Sequence, residues 1–180
     1  MCPEDVKAEP FVDVVWPERA FHEHSFPFSA GAQRIWKLAP DFQYITSSGC
    51  PYGCTFCALR SAWTPRPIEQ IEREMGALYD LLGAKEVSFS DPNIGFDKTR
   101  VDGVNQKIDR VQRLKAIGAI LRKYGIRWDG NIRSDYVTPE LTEIMAWSGC
   151  YSIEFGCESG NDDFLRKVIR KGHGIDSIKN

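Results

Sequence analysis

Apolar residues from position 43 onward follow two alternating spacings, one typical of strands and one typical of helices. Short stretches rich in β-branched and aromatic residues predict four strands, at residues 43–46, 87–90, 126–131 and 151–155. Apolar residues three or four positions apart predict a helix after each strand. The apolar positions of the four predicted helices are, in order, Ile68, Ile71, Met75, Leu78 and Leu82; Val104, Ile108, Val111, Leu114 and Leu121; Leu141, Ile144 and Met145; and Phe164, Leu165, Val168 and Ile169.

Residues at the ends of these stretches support the helix boundaries. Pro67 suits the first turn of the first helix, and Gly83 and Gly125 suit the positions that follow the first and second helices. Thr138 offers a capping hydroxyl directly before a proline, which is a strong start signal for the third helix. The polar residues 161–163 open the fourth helix.

The predicted order of elements is β-α-β-α-β-α-β-α, which favours a parallel sheet with right-handed crossovers. A complete eight-unit barrel uses ~30 residues per unit, so from residue 43 the chain has room for about four units. The pattern therefore predicts an α/β fold and leaves two forms open, a small open sheet or a barrel cut short. Residues 1–40 fit neither spacing and are predicted to be an extended, linker-like segment with a short strand at 11–16, followed by a core domain at 41–180.

Composition and charge narrow the class of protein. Of the 180 residues, 42% are hydrophobic and 27% are charged, which is ordinary for a globular protein. The formal net charge of −2 gives no general attraction for nucleic acid or an anionic membrane. No apolar run approaches the ~18 residues of a membrane-spanning helix, and the acidic N-terminus does not resemble a signal peptide. We therefore expect a cytoplasmic protein with no membrane partner.

Three of the six cysteines lie within eight residues, directly after the first predicted strand. Cys50, Cys54 and Cys57 are separated by Pro51 and Gly53, which favour a tight loop in which the three sulfur atoms converge. Thiolates are soft ligands that suit iron–sulfur clusters or zinc. A closed four-iron cluster normally takes four cysteines, so three ligands leave one iron open to a substrate or cofactor.

Other interpretations of the cysteines remain open. A structural zinc site usually has paired cysteines or a cysteine–histidine set, whereas His22 and His24 lie well upstream without that spacing. Cys150 and Cys157 flank the fourth predicted strand, where they are expected to be small buried side chains rather than ligands. Cys2 is expected to be incidental. An iron–sulfur cluster is the favoured interpretation, with zinc binding and thiol chemistry as the alternatives.

The motif Cys-x3-Cys-x2-Cys after the first strand of a β/α chain resembles the radical SAM superfamily, in which three cysteines bind a 4Fe-4S cluster and the fourth iron binds S-adenosylmethionine (SAM). Two further stretches resemble the same superfamily, at residues 128–133 and 153–160. Together with the sequence around the cysteines, they are most similar to the branch that contains cobalamin-dependent enzymes and methylthiotransferases. The resemblance covers residues 44–172 and implies a partial β/α barrel.

The resemblance also implies roles for individual residues. Phe56 stands where the family usually has an aromatic residue that contacts adenine, and Arg133 is expected to pair with the SAM carboxylate. Glu158 and Ser159 are expected to contact the ribose hydroxyls or the amino group. Asp91 occupies the place where many members carry Gly-Gly-Glu for the SAM amino group, so this chain departs from the pattern there. Three ordinary structural interpretations remain open: Asp91 as part of a turn, Arg133 in a surface ion pair, and Glu158 and Ser159 in a loop before a helix cap.

The resemblance implies an enzyme that cleaves SAM reductively to a 5′-deoxyadenosyl radical, with an electron from a flavodoxin- or ferredoxin-like protein. It leaves the substrate unknown and both methylation and methylthiolation open. A superfamily barrel has six units, so the chain is expected to be a fragment that lacks the final strands, and its activity in isolation is left open. Cobalamin, if used, is expected to bind a domain outside this chain. The alternative is a non-catalytic metal-binding domain.

A run of basic residues is the remaining feature of the sequence. Its favoured interpretation is the polar face of the second helix, and the alternative is an RNA-binding face, as in a tRNA-modifying enzyme. The run consists of Lys98, Arg100, Lys107, Arg110, Arg113, Lys115, Arg122, Lys123 and Arg127.

Overall fold

The computed structural model describes residues 41–59, 61–101 and 104–179, and the strand predicted at 11–16 lies outside them. Within the described part of the chain, no helix is long and apolar enough to cross a membrane. The elements in chain order are β1 (Asp41–Tyr44), β2 (Ser47–Cys50), β3 (Ser61–Pro65), α1 (Ile68–Leu82), β4 (Glu86–Phe89), β5 (Lys98–Val101), β6 (Val104–Lys107), α2 (Arg110–Tyr124), β7 (Arg127–Asn131), a 3-10 turn (Ser134–Tyr136), α3 (Pro139–Trp147), β8 (Cys150–Glu154), a π-helical segment (Phe164–Ile169) and α4 (Asp176–Lys179).

Four strands form a parallel sheet in the order β1-β4-β7-β8. Each strand lies beside the one that precedes it in this series, and a helix connects each pair, so the chain makes three successive β/α crossovers. The predicted parallel α/β fold is therefore confirmed. In such a sheet, all four strands end at the same edge, and this edge gathers the loops that carry the candidate site.

The two faces of the sheet differ in polarity because neighbouring side chains along a strand point in opposite directions. Val87, Phe89 and Trp128 are fully or almost fully buried on one face. Ser88 and Asp129 alternate with them and are joined by a hydrogen bond of 2.6 Å on the other. Residues from the three long helices complete the buried core, among them Ile71, Met75, Leu114, Ile117, Leu121, Leu141 and Ile144. The apolar face of the sheet and the helices thus form a two-layer core.

The helix boundaries follow local capping chemistry. Gly83 and Gly125 adopt the left-handed conformation after α1 and α2, as the sequence predicts. The Thr138 side chain accepts a hydrogen bond from the Leu141 main-chain N–H at 3.3 Å, and Pro139 is the first residue of α3. The structure therefore confirms the predicted C-terminal ends of α1 and α2 and the predicted start of α3.

The structure corrects the start of the second helix and the reading of the basic run. Val104 lies in strand β6 and Ile108 in the turn after it, and α2 begins only at Arg110 because the Asp109 carboxylate caps its first N–H groups. The antiparallel pair β5–β6 occupies this region.

The basic run is therefore not one helical face. Lys98 and Arg100 belong to strand β5, Lys107 to β6 and Arg127 to β7.

Smaller differences concern the first strand and the fourth helix. The first strand ends at Tyr44 rather than at residue 46, because Thr46 turns away to bond with Asp91. The antiparallel hairpin β2–β3 was not predicted. The fourth predicted helix is a six-residue π-helical segment that ends at Arg170 in the left-handed conformation.

Two glycines near the cysteines permit a sharp stability test. Gly49 has φ +80°, and a Cβ there would clash with the main-chain oxygen of Ala62, whereas nothing lies within 4 Å of a Cβ at Gly53. We expect Gly49→Ala to lower the free energy of unfolding by about 2 kcal/mol, since it adds both strain and a clash. The matched change Gly53→Ala should alter it by less than about 0.5 kcal/mol. Urea unfolding followed by circular dichroism compares them, and equal effects would contradict the close approach.

Candidate functional site

One cavity at the carboxyl edge of the sheet collects most of the residues that the sequence singles out. It has a volume of about 390 Å³, and its walls come from the loop after β2, the ends of β7 and β8, and the segment around residue 171. The predicted site residues that line it are Cys50, Cys54, Phe56, Cys57, Arg133 and Glu158. Asp91 and Ser159 do not line this cavity.

The loop that carries the cysteines is tied to a distant part of the chain. The Thr55 main-chain N–H donates to the carbonyl of Ile169 at 2.9 Å, and its hydroxyl donates to the carbonyl of Val168 at 2.9 Å. A tight turn is closed by the N–H of Cys57 and the carbonyl of Cys54, 3.1 Å apart. The π-helical segment thus supports the loop between its second and third cysteines, and the side chain of Phe56 remains 62% exposed.

The three thiols surround a common space rather than a single point. Within the described residues, no group of three or more histidine, cysteine, aspartate or glutamate side chains is arranged to hold one metal ion. Burial raises the pKa of the Cys50 thiol, and so do Cys54 and Cys57, while a main-chain hydrogen bond from Tyr52 and the positive charge of Arg133 lower it. Three soft donors around one cavity are a donor set that fits an iron–sulfur cluster.

Arg133 is almost completely buried, with 8% of its surface exposed. Its Nε and Nη2 donate to the two carboxylate oxygens of Asp135 at 3.0 and 3.1 Å, and Nη2 also donates to the carbonyl of Lys171 at 2.7 Å. Its guanidinium carbon lies 3.6 Å from the centre of the Tyr52 ring. The structure therefore places Arg133 in the cavity, as expected, but commits much of its donor capacity to other protein groups.

Lys171 is a site residue that the sequence analysis missed. It is 4% exposed, its ammonium donates to the carbonyl of Gly156 at 2.7 Å, and it forms an ion pair with Glu158. Burial and the nearby charge of Arg133 lower the pKa of Lys171. No periodicity or motif marks this residue, because only the return of the chain after the π-helical segment brings it into the cavity.

Asp91 is fully buried, and its carboxylate faces the turn between β1 and β2. It accepts hydrogen bonds from the main-chain N–H and the hydroxyl of Thr46, both at 2.8 Å, and from the hydroxyl of Ser47. Burial raises the pKa of Asp91, whereas these hydrogen bonds and the charge of Arg113 act in the opposite direction. Its contacts thus support the hairpin that leads to Cys50 rather than the cavity itself.

The remaining predicted residues have simpler surroundings. The Ser159 hydroxyl accepts a hydrogen bond from the N–H of Asn161 at 3.1 Å, which is a loop-to-helix arrangement. Cys150 is half-buried in β8, and burial raises its pKa to about 11. The expected burial of Cys157 is wrong, because this residue lies in the loop after β8 and is exposed. Cys2, His22 and His24 lie outside the described residues.

The sequence profile of the radical SAM superfamily matches residues 44–180. The chain belongs to the radical SAM superfamily. The match includes the cysteine loop, all four strands of the parallel sheet except the first residues of β1, and the cavity at their carboxyl ends. Members of this superfamily use a 4Fe-4S cluster and SAM, and they need an external reductant.

Several curated methyltransferases are similar to this chain. It is 30% identical over 154 residues to a bacteriochlorophyllide d C-12(1)-methyltransferase of Chlorobaculum tepidum, which covers 82% of this chain and 31% of that protein. It is 28% identical over 142 residues to an uncharacterized methyltransferase of Pyrococcus horikoshii, and the alignment covers 75% of this chain and 28% of that protein. It is also 28% identical over 138 residues to a cytidylyl-2-hydroxyethylphosphonate methyltransferase of Streptomyces wedmorensis, and this alignment covers 72% of this chain and 23% of that protein. The chain thus spans less than a third of these relatives.

Solved structures share the fold. The cobalamin-dependent SAM radical enzyme OxsB, with aqua-cobalamin bound, superposes with a TM-score of 0.60 at 22% identity, over 76% of this chain and 21% of that one. The radical SAM methyltransferase TsrM of Kitasatospora setae, with cobalamin and a 4Fe-4S cluster bound, gives a TM-score of 0.57 at 16% identity. This superposition covers 79% of this chain and 27% of the TsrM chain. These superpositions support the predicted partial barrel.

The position of Asp91 yields a test of its structural role. We expect Asp91→Asn to lower the free energy of unfolding by about 2 kcal/mol, because the new amide N–H₂ would face the buried N–H or hydroxyl of Thr46. Asp163→Asn is the matched control, since Asp163 is exposed and forms only a surface ion pair with Lys167, whose loss should cost less than about 0.5 kcal/mol. Urea unfolding of both variants is the measurement, and an unchanged Asp91→Asn protein would refute the anchoring role.

Proposed function

We propose that Cys50, Cys54 and Cys57 bind three irons of a 4Fe-4S cluster and leave the fourth iron open to SAM. The observation that carries this proposal is that all three cysteines line one cavity at the carboxyl edge of the sheet, together with the buried cations Arg133 and Lys171. When bound, the reduced cluster supplies the electron that cleaves SAM to methionine and a 5′-deoxyadenosyl radical. The protein binds, orients and shields these groups.

The cavity offers contacts that match the parts of SAM. Lys171 and Glu158 place a cation and an anion side by side, which suits the carboxylate and amino group at the amino acid end of SAM. Phe56 presents an exposed aromatic ring beside Cys57 and suits the adenine. Ser159 follows Glu158 in the chain but does not line the cavity, so its contact with a ribose hydroxyl is proposed from the family resemblance alone. Asp91 acts from behind the cysteine loop, by holding the turn that precedes β2.

We further infer that the complete protein transfers a methyl group, with cobalamin as an additional cofactor outside this chain. The three similar curated proteins are all methyltransferases by name, which favours methylation over methylthiolation. The similar solved structures contain cobalamin. Because each whole relative is more than three times as long as the matched region, the substrate is set by parts outside it.

The partners follow from the same chemistry. A low-potential donor of the flavodoxin or ferredoxin type is needed to reduce the cluster, and a reducing compartment such as the cytoplasm would protect it. RNA is not favoured. Arg113 is half-buried and donates to main-chain carbonyls, while Lys123 and Arg127 pair with Glu72 and Glu86, so these basic side chains do not form a free basic surface.

Iron binding tests the cysteine assignment. After anaerobic reconstitution, we expect about four irons per chain. We expect serine at any of Cys50, Cys54 or Cys57 to reduce the iron content at least about fivefold, because a cluster left with two thiolate ligands is not retained as a unit. Cys150→Ser and Cys157→Ser are matched controls that should retain the iron. Iron and sulfide analysis with EPR of the dithionite-reduced protein provides the measurement.

Two outcomes would overturn this proposal. Iron loss in Cys157→Ser would indicate a closed four-cysteine site with no open iron. A wild-type cluster whose EPR spectrum does not change on addition of SAM, with no release of 5′-deoxyadenosine, would instead support a non-catalytic metal-binding domain.

A further inference from the structure

Arg133 contacts the loop that carries the cysteines through the ring of Tyr52, which lies between Cys50 and Cys54 in the sequence. The guanidinium carbon is 3.6 Å from the ring centre, a close cation–π contact. The same ring stacks on Phe96, with centroids 5.9 Å apart and planes 23° apart. The loop therefore has an aromatic side chain held between a buried cation and the protein core.

The phenol of Tyr52 is held as well. Its hydroxyl is 2.8 Å from the hydroxyl of Tyr136, and the two rings meet edge to face at 6.4 Å. Tyr136 belongs to the short turn after Arg133, so the same segment of chain that supplies the cation also supplies the hydrogen-bond partner. One rotation of the Tyr52 ring would break contacts with Arg133, Tyr136 and Phe96 together. Tyr52 thus fixes the conformation of the loop between its first two cysteines.

The Arg133 guanidinium is held in place by several hydrogen bonds. Asp135 accepts from it through both carboxylate oxygens, and the carbonyl of Lys171 accepts a third hydrogen bond. His173 approaches Asp135 from another side, with its Nε2 3.5 Å from the carboxylate. To bind a SAM carboxylate through two N–H groups, the Arg133 guanidinium would have to break its two hydrogen bonds with Asp135.

The charge of Arg133 also lies close to the cysteines. Its guanidinium packs on the ring of Tyr52 within the cysteine loop, and Arg133 lines the same cavity as Cys50, Cys54 and Cys57 while only 8% exposed. A cluster becomes more negative when it is reduced, so a fixed positive charge in a buried, low-dielectric setting stabilises the reduced form. Asp135 and Glu158 pair with Arg133 and Lys171, respectively, so each carboxylate offsets part of the charge of its partner. Removing the Arg133 guanidinium alone therefore takes a positive charge from the cavity and leaves the Asp135 carboxylate in place.

We propose that Arg133 is a positioning residue that holds the cysteine loop through Tyr52 and raises the reduction potential of the bound cluster, and that it is not the partner of the SAM carboxylate. This inference rests on the proposed 4Fe-4S site. It replaces the role that family resemblance assigns to Arg133.

The experiment is an EPR-monitored redox titration of the protein expressed from its complete reading frame and reconstituted anaerobically, first without SAM and then with it. Arg133→Met keeps the length of the side chain and removes its charge. At the wild-type midpoint potential, we expect the ratio of reduced to oxidised cluster to fall roughly threefold or more, because one nearby charge is lost. Arg133→Lys should restore most of that ratio, and the dissociation constant of SAM should change by less than about twofold in either variant.

Further variants separate positioning from charge. Asp135→Asn removes the neighbouring negative charge and should shift the potential in the opposite direction, so the two outcomes together define the sign of the field. Tyr52→Leu should alter the EPR line shape of the reduced cluster, while Tyr52→Phe, which keeps the aromatic face, should preserve it. If Arg133→Met fails to fold, Asp135→Asn and the Tyr52 pair still decide the question.

Two results would overturn the inference. The first is an unchanged SAM-free potential in Arg133→Met, or in Asp135→Asn if Arg133→Met does not fold. The second is a SAM affinity reduced tenfold or more in Arg133→Met, which would identify Arg133 as the carboxylate partner. Failure of the proposed function itself would look different, since the wild-type protein would then take up no iron–sulfur cluster or would show no response to SAM.

Discussion

The Asp91 carboxylate, fully buried at the end of β4, joins the parallel sheet to the hairpin that leads into the cysteine loop. It accepts hydrogen bonds from the main chain and hydroxyl of Thr46 and from the hydroxyl of Ser47. Arg113 from α2 reaches the same turn and donates to the carbonyl of Thr46 at 2.8 Å. Because a buried carboxylate is costly unless its oxygens are satisfied, this arrangement is stable only with the turn in place. The position of Cys50 depends on it.

A second constraint is the parallel sheet itself. Its strands end at one edge, so residues that are far apart in the chain meet there: the loop after β2, Arg133 after β7 and Glu158 after β8. Charged side chains are tolerated at this edge because each has a partner, Asp135 for Arg133 and Glu158 for Lys171. The cavity at this edge thus combines paired charged groups with apolar side chains such as Phe56 and Ile132.

Local signals predicted the regular elements well and the irregular ones poorly. The helix that contains Ile71 and Met75 was recognised from apolar spacing and a C-terminal glycine, both of which act within a few residues. Val104 and Ile108 were misassigned because their spacing of four fits a helix equally well. The sequence Asp-Gly at positions 102–103 favours a hairpin and competes with the helical spacing of these apolar residues.

The sequence by itself determined the family, the three candidate ligands and the order of the four parallel strands and the three long helices, because motif spacing, apolar periodicity and capping are local properties. Only the tertiary structure decided which charged residues face the cavity. Lys171 enters it through a long-range return of the chain, and Asp91 turns away from it towards Thr46. It also decided that Arg133 is held by Asp135 and Tyr52. Such contacts depend on the packing of distant segments, which no local pattern encodes.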